Sequence, residues 1–272
     1  MKKINYKNIF NLNTKTILVV GGAGLIGTEV TKGFISLGAN VIVLDNNKQK
    51  LSNMKKKINT KSLKTIHFDI KKKNEVSKKF VKIIKSLPRI DVYVNCSYPR
   101  TDDWFNNSFN KISYNSLKKN LDLHLVSYSW LSKEIANYMR KRKIKGTIIN
   151  FASIYGLVGQ NLNIYNKTSM KENMTYSIIK GGIINLTKQL ASYYGKYNIR
   201  VNTISPGGIK GHVAGKSNKQ DKKFVKQYNS QVPLKRMAEA NEIVGAVIFL
   251  SSDASSYVTG SNIIVDGGWL AI

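Results

Sequence analysis

The sequence predicts an α/β fold, a doubly wound parallel sheet of about seven strands with helices on both faces. Three observations predict it. Short apolar, β-branched runs alternate along the chain with stretches whose apolar residues recur every three or four positions. A glycine turn, Gly-Gly-Ala-Gly-Leu-Ile-Gly over residues 21–27, joins the first run to the first periodic stretch, and the second run ends on an acid, Asp45. Alternation of this kind implies right-handed crossovers between parallel strands.

Length and composition bound the reading. A chain of 272 residues with 42% hydrophobic content suits one large domain with a substantial core. No run approaches the roughly 18 apolar residues of a membrane span. The basic start (Met1, Lys2, Lys3) leads into polar, Asn-rich sequence instead of a signal-peptide core, so a cytoplasmic protein without membrane association is expected. Cys96, the single cysteine, cannot form an internal disulfide, and His67, His124 and His212 are too scattered for a metal set, so no metal is expected. The charge is the outlier, with 44 Lys and Arg against 15 Asp and Glu giving +29. A nucleic-acid binder would fit that number. The lysines, however, are spread over nearly every predicted surface helix alongside Asn and Ile, the pattern of biased codon usage and solvated faces. No nucleic-acid partner is expected, although a positive field favours an anionic small molecule.

Taken in order, residues 1–13 form a polar, loosely held arm, and residues 14–272 form the domain. Residues 15–20 read as a buried strand, and Val30, Phe34, Ile35 and Leu37 mark a helix stopped at Gly38. Between them Gly21, Gly24 and Gly27 allow a tight turn, close backbone approach to a pyrophosphate and helix–strand packing. Asp45, at the end of strand 40–45, is placed to accept hydrogen bonds from a ribose and to repel a 2′-phosphate, which predicts NAD over NADP; Lys48 and Lys50 pull the other way. A basic helix (47–58), a strand (64–70, ending at Asp69 and Ile70), a helix (73–87) and a strand (90–95) follow. Ligands of an open parallel sheet lie beyond the carboxyl ends of its strands, so the loop from Asn95 to Arg100 should face them. Arg100 is there a candidate anion ligand or plain surface charge.

Residues 114–143 read as one long helix, and its mid-helix Asn120 reads, from that segment alone, as exposed. Strand 146–153 delivers Ser153 to the same edge. Loop 154–173 leads to a helix on which Tyr176 and Lys180 sit one turn apart on one face. A phenol titrates near pH ~10 in water, so it works as a proton donor or acceptor at neutral pH only beside a fixed positive charge, which Lys180 could supply. A strand (198–205) stops at Pro206. The polar, lysine-rich stretch 210–235 suits a mobile lid, and a helix (241–250) and a strand (261–265) close the chain.

With these motifs in order, the chain resembles the short-chain dehydrogenase/reductase family over roughly residues 13–270, the simple branch with a single Rossmann-type domain. The glycine spacing is similar instead to the family's extended branch; length and tail decide for the simple one. The resemblance implies a catalytic tetrad of Asn120, Ser153, Tyr176 and Lys180, which makes Asn120 functional. Tyr176 would exchange a proton with the substrate, Lys180 would lower its pKa and hold the nicotinamide ribose, Ser153 would hold the substrate oxygen, and Asn120 a water. It also implies a cofactor site from Gly21, Gly24, Leu25, Ile26, Gly27, Asp45, Asp69, Ile70 and Asn95, with Tyr176 and Lys180, closed by Pro206, Gly207 and Ile209. A homodimer or homotetramer is implied by the C-terminal strand. Tyr98 stands where the family has a small residue and should reshape the pocket, and Ser153 and Tyr176 are 23 positions apart, so loop 154–173 should form a substrate wall. Tyr98, Arg100 and Tyr155 are the candidate substrate residues. Their surrounding motifs look like a subgroup that modifies bacterial surface carbohydrates and flagellin, which would suit a sugar, sugar phosphate or nucleotide sugar. The alternatives are a general alcohol, polyol or 3-oxoacyl reductase, or a regulator that binds NAD(H) without turnover.

Overall fold

The computed structural model describes residues 6–71, 73–211 and 219–272. Its centre is β1 (Thr16–Val20), five apolar or β-branched residues of which the last four are buried, as befits a strand covered on both faces. The chain then gives α1 (Leu25–Ser36), β2 (Asn40–Asp45), α2 (Lys48–Ile58), β3 (Leu63–His67), α3 (Lys73–Ser86) and β4 (Val92–Asn95). All seven strands pair in parallel in the order β3-β2-β1-β4-β5-β6-β7, with β5 at Thr147–Phe151, β6 at Arg200–Pro206 and β7 at Asn262–Val265. The expected doubly wound sheet is therefore the observed one. Its order reverses between β1 and β4, where the crossovers leave in opposite directions and open a crevice at the carboxyl edge. Register aligns that edge: Val20 lies beside Leu44 and Asn95, and Asn95 beside Asn150.

Alternation along β1 fills two cores. Leu18 and Val20 pack with Phe80, Tyr93, Leu131 and Ile135 on one face, and Ile17 and Val19 pack with Phe34, Leu51 and Val247 on the other. Each such side chain contributes about 1.5–3 kcal/mol by leaving water.

Four elements differ from the sequence expectation. The helix expected over 114–143 is α4 (Tyr114–Asn120), a π turn (Leu121–Val126) and α5 (Ser127–Lys141). Ser127 and Ser129 donate to the carbonyls of Leu123 at 2.6 Å and Leu125 at 2.8 Å, competing with backbone N–H groups for them. Strand β3 ends at His67, so Asp69 and Ile70 follow it in a turn. The N-terminal arm is packed at its end: Leu12 is fully buried, and Ala254 donates its N–H to the Ile9 carbonyl. The stretch expected as a lid carries α7 (Lys222–Gln231), whose Phe224 and Tyr228 pack with Ile154, Ile164 and Trp269 in a small core of their own. Residues 212–218 of that stretch, and the start of the arm, lie outside the described residues. Before β7, the last long helix is α8 (Val244–Ser251), entered through a 3-10 turn at Ala240–Ile243. No helix among the described residues is long and apolar enough to cross a membrane.

Candidate active site

The catalytic face starts at α6 (Met174–Tyr194). Asn173 caps it, its side-chain oxygen accepting the Tyr176 N–H at 2.9 Å, which sets the first turn and hence where Tyr176 and Lys180 project. Lys180 is 3% exposed. Its Nζ donates to the Phe151 carbonyl at 3.0 Å, lies 3.5 Å from His124 Nε2, and stands 5.6–5.7 Å from the ring centroids of Tyr98, Tyr128 and Tyr176. These rings offer cation–π attraction in place of lost water. The backbone of Lys180 is approached just as closely, since a Cβ on Gly156 would sit 2.6 Å from its carbonyl carbon.

Ser153, buried at the end of β5, accepts the Tyr155 N–H at 3.3 Å. Burial pushes the Tyr176 phenol above its ordinary value, and a hydrogen bond with Ser153 pulls it back. Burial also drives Lys180 down to about 7. The net direction at Tyr176 is upward, opposite to the lowering expected from Lys180, because desolvation works against the charged form of both groups.

The cofactor side is built from backbone. Gly21 has φ +73°, and a Cβ there would sit 2.6 Å from the Ser97 backbone; a Cβ on Gly27 would overlap the Gly21 carbonyl. Gly24 caps α1 with no side chain, and no acid stands in the helix's first turn, so the N–H groups around Leu25 and Ile26 suit a phosphate anion. Asp45 Oδ2 accepts the Ala23 N–H at 3.1 Å and Oδ1 the Asn47 N–H at 3.0 Å, which ties the acid to the glycine turn. Asp69 accepts the Lys71 N–H at 2.9 Å beside buried Ile70. Asn95 is fully buried and accepts from the Ser97 N–H and hydroxyl, yet its Nδ2 has no partner among the described residues. After Pro206, Gly207 donates to the Val265 carbonyl at 2.9 Å, and Ile209 bridges to Ala238. The chain then brings Gly211 against Leu25, where a Cβ would lie 2.7 Å from the Leu25 Cδ2. A glycine cradle, an uncapped helix start, an acid at the end of β2 and an orphaned amide therefore fit a dinucleotide.

Asn120 lacks the exposure that its own segment suggested. It is fully buried instead of exposed, and its amide is spent on its surroundings: Oδ1 accepts the Thr101 N–H at 2.9 Å, while Nδ2 donates to the Thr101 hydroxyl at 2.7 Å and the Ser116 carbonyl at 2.9 Å. The side chain that helix presents to Lys180 is His124, one turn further on.

Two of the three candidate substrate residues lie beside Tyr176, and the third lies over one of them. Tyr98 and Tyr155 place ring centroids 5.9 and 6.5 Å from it, and the half-buried Arg100 guanidinium lies over Tyr98 at 5.4 Å and Phe105 at 5.8 Å. Sequence reasoning missed Trp104, 6.3 Å from Tyr176, and Trp269, which stacks on Tyr228 at 4.4 Å and meets Tyr155 at 6.5 Å. Loop 154–173 is fastened to α7, with the Ser169 hydroxyl donating to Asp221 at 2.9 Å and Gln227 to the Asn163 carbonyl at 3.1 Å.

Known proteins carry the same arrangement of elements. A family model described as enoyl-(acyl carrier protein) reductase matches residues 22–270. The chain is similar to a post-translational flagellin modification protein A from Campylobacter coli, 33% identical over 261 residues, covering 95% of this chain and 99% of that protein. It is 29% identical to a 2-dehydro-3-deoxy-D-gluconate 5-dehydrogenase from Formosa agariphila, over 97% of this chain and 96% of that one. Among solved structures, a short chain dehydrogenase from Leptospira borgpetersenii with bound NAD+ superposes with a TM-score of 0.82 at 30% identity, covering 99% of this chain and 97% of that chain. Matching fold, end-to-end coverage and the Ser153, Tyr176 and Lys180 cluster lead to one conclusion: the chain is an oxidoreductase belonging to the short-chain dehydrogenase/reductase family.

Proposed function

We propose that the protein interconverts a secondary alcohol and a ketone on a small, anionic, sugar-like substrate, using NAD in preference to NADP. The observation that carries this reading is the convergence of Ser153, Tyr176 and Lys180 among aromatic rings, with the half-buried Arg100 lying over one of them. The nicotinamide, when bound, supplies the hydride acceptor or donor. Tyr176 holds and exchanges the proton of the substrate oxygen, and Ser153 donates to the same atom, so charge developing there meets two aimed hydroxyls. Lys180 keeps a third N–H beyond the two protein contacts of its Nζ, free for the nicotinamide ribose. The rings of Tyr98, Trp104 and Tyr155 exclude water, which strengthens each of these interactions. On the other side of the crevice the glycine turn and the start of α1 would hold the pyrophosphate, and Asp45 the adenosine ribose.

Support for a sugar-like anion comes from two directions. Arg100 provides a guanidinium suited to a carboxylate or phosphate. The Formosa relative is named for oxidation of a sugar acid, and the Campylobacter relative for flagellin modification. The test is NAD+ reduction and NADH oxidation by the purified protein across sugar acids, sugar phosphates, nucleotide sugars, polyols and acyl thioesters. Selective turnover of an anionic sugar is the expected result; a preference for acyl thioesters would replace this reading with the acyl-chain one.

A further inference from the structure

His124 plays no part in the reaction outlined above, yet it is fully buried against the site's buried amine. It sits in the π turn, its ring centroid 5.3 Å from that of Tyr98 and 5.1 Å from that of Tyr128. Burial, then Lys180 and Arg100, oppose a charge on the ring and hold the imidazole neutral, against a smaller pull from the Pro99 carbonyl. A neutral imidazole has one lone pair, and facing the Lys180 donor at 3.5 Å that lone pair belongs on Nε2, with the proton on Nδ1. The protonated Lys180 Nζ has three donors. One goes to Phe151 O and one faces His124, so the direction of the third is set.

We infer that His124 is the positioning residue of this site: by accepting from Lys180 it locks the ammonium against rotation and aims the remaining N–H at the cofactor ribose. The inference rests on the cofactor reading above. His124 acts directly on Lys180, while Asn120, expected to hold a water, binds the Thr101 loop.

Two measurements test it. The chain has three histidines, so long-range 1H–15N spectra of the imidazoles are assignable, with His124→Gln removing one set of signals. In the cofactor-free wild-type protein at pH ~6, where Lys180 keeps its proton, His124 is expected as the Nδ1–H tautomer, with an Nε2 shift that changes in Lys180→Met; finding the proton on Nε2 overturns the proposal. The second measurement is NADH affinity by fluorescence. His124→Leu is expected to weaken it about tenfold, while His124→Gln, which returns an acceptor at similar reach, loses no more than about threefold. Equal losses in the two variants, or none in the leucine variant, overturn the positioning role. A wild-type protein that bound no NADH would overturn the cofactor reading and this role together, whereas NADH binding with the wrong tautomer sinks this role alone.

Discussion

On the β1–β2 side of the crevice the proposed binding surface is backbone: a left-handed Gly21, a Gly27 with no room for a methyl group, and an uncapped helix start within eight residues of one another. On the β5–β6 side it is rings, with Tyr98, Trp104, Tyr155, Tyr176 and Trp269 arriving from segments as far apart as β4 and the C-terminus. Backbone recognition suits a ligand part that does not vary, the pyrophosphate. Side-chain recognition lets the other half be re-shaped by substitution without disturbing the sheet. Only the ring side surrounds Tyr176, the proton-transfer group proposed above, so losses of chemistry and losses of binding should separate cleanly between the two sides.

The largest effect should come from Tyr176→Phe. It keeps the ring contacts with Tyr98, Trp104 and Tyr155 and removes only the proton. Turnover is expected to fall about a thousandfold or more, with NADH affinity nearly unchanged. Steady-state rates beside fluorescence binding check it, and substantial residual turnover would break the division of labour. Gly27→Ala probes the other side. Its methyl group meets the Gly21 carbonyl and lies 2.6 Å from Gly22 Cα, so a cost of about 1–3 kcal/mol in stability is expected, together with weaker NADH binding. Gly159→Ala in the substrate loop, where nothing lies within 4 Å of the new methyl group, should change neither. Thermal unfolding of the pair measures the contrast.

The same difference in materials explains what the sequence revealed. Strand, glycine turn, helix, strand and Asp45 are contiguous over residues 15–45, and each backbone requirement is written in a residue type there, so this half was legible. Ser153, Tyr176 and Lys180 were legible because a helix face and a strand end place them. The ring wall was not, since Trp269 meets Tyr228 and Tyr155 only after α7 folds on loop 154–173, a long-range event without local periodicity. The exposure that the segment suggested for Asn120 failed for a local reason. A uniform helix was expected, and the serine-bonded π turn that carries His124 leaves no mark in apolar spacing.

Burial of Lys180 offers a prediction of intermediate size on the ring side. Its folded-state pKa of about 7 lies below the ~10.4 of an unfolded lysine. Below pH ~7 both states carry the proton, and the folded state bears the whole cost of a buried ammonium. Between pH ~7 and ~10 the folded state has released the proton while the unfolded state keeps it, so stability rises with pH there. Lys180→Met should therefore be the more stable protein at acidic pH, by a few kcal/mol at most. That advantage should shrink above neutrality by no more than ~1.4 kcal/mol per pH unit. Denaturant unfolding across that range measures it; parallel profiles for the two proteins would mean that Lys180 is far less desolvated than its 3% exposure implies.

The smallest expected effect is at Asp45, and it bears most directly on the backbone side. The carboxylate bridges two backbone N–H groups, Ala23 in the glycine turn and Asn47 beyond β2, so it could act on the cofactor through its charge or merely through the shape of the turn. Asp45→Ala separates the two. Loss of shape alone would weaken NADH and NADPH together. Loss of the ribose acceptor and of its repulsion toward a 2′-phosphate should weaken NADH about tenfold while leaving NADPH unchanged or improved. The ratio of the two dissociation constants is the informative quantity, because any general loosening of the turn cancels in it. A ratio equal to that of the wild type would make Asp45 a staple of the turn and assign the discrimination to the lysines that follow it.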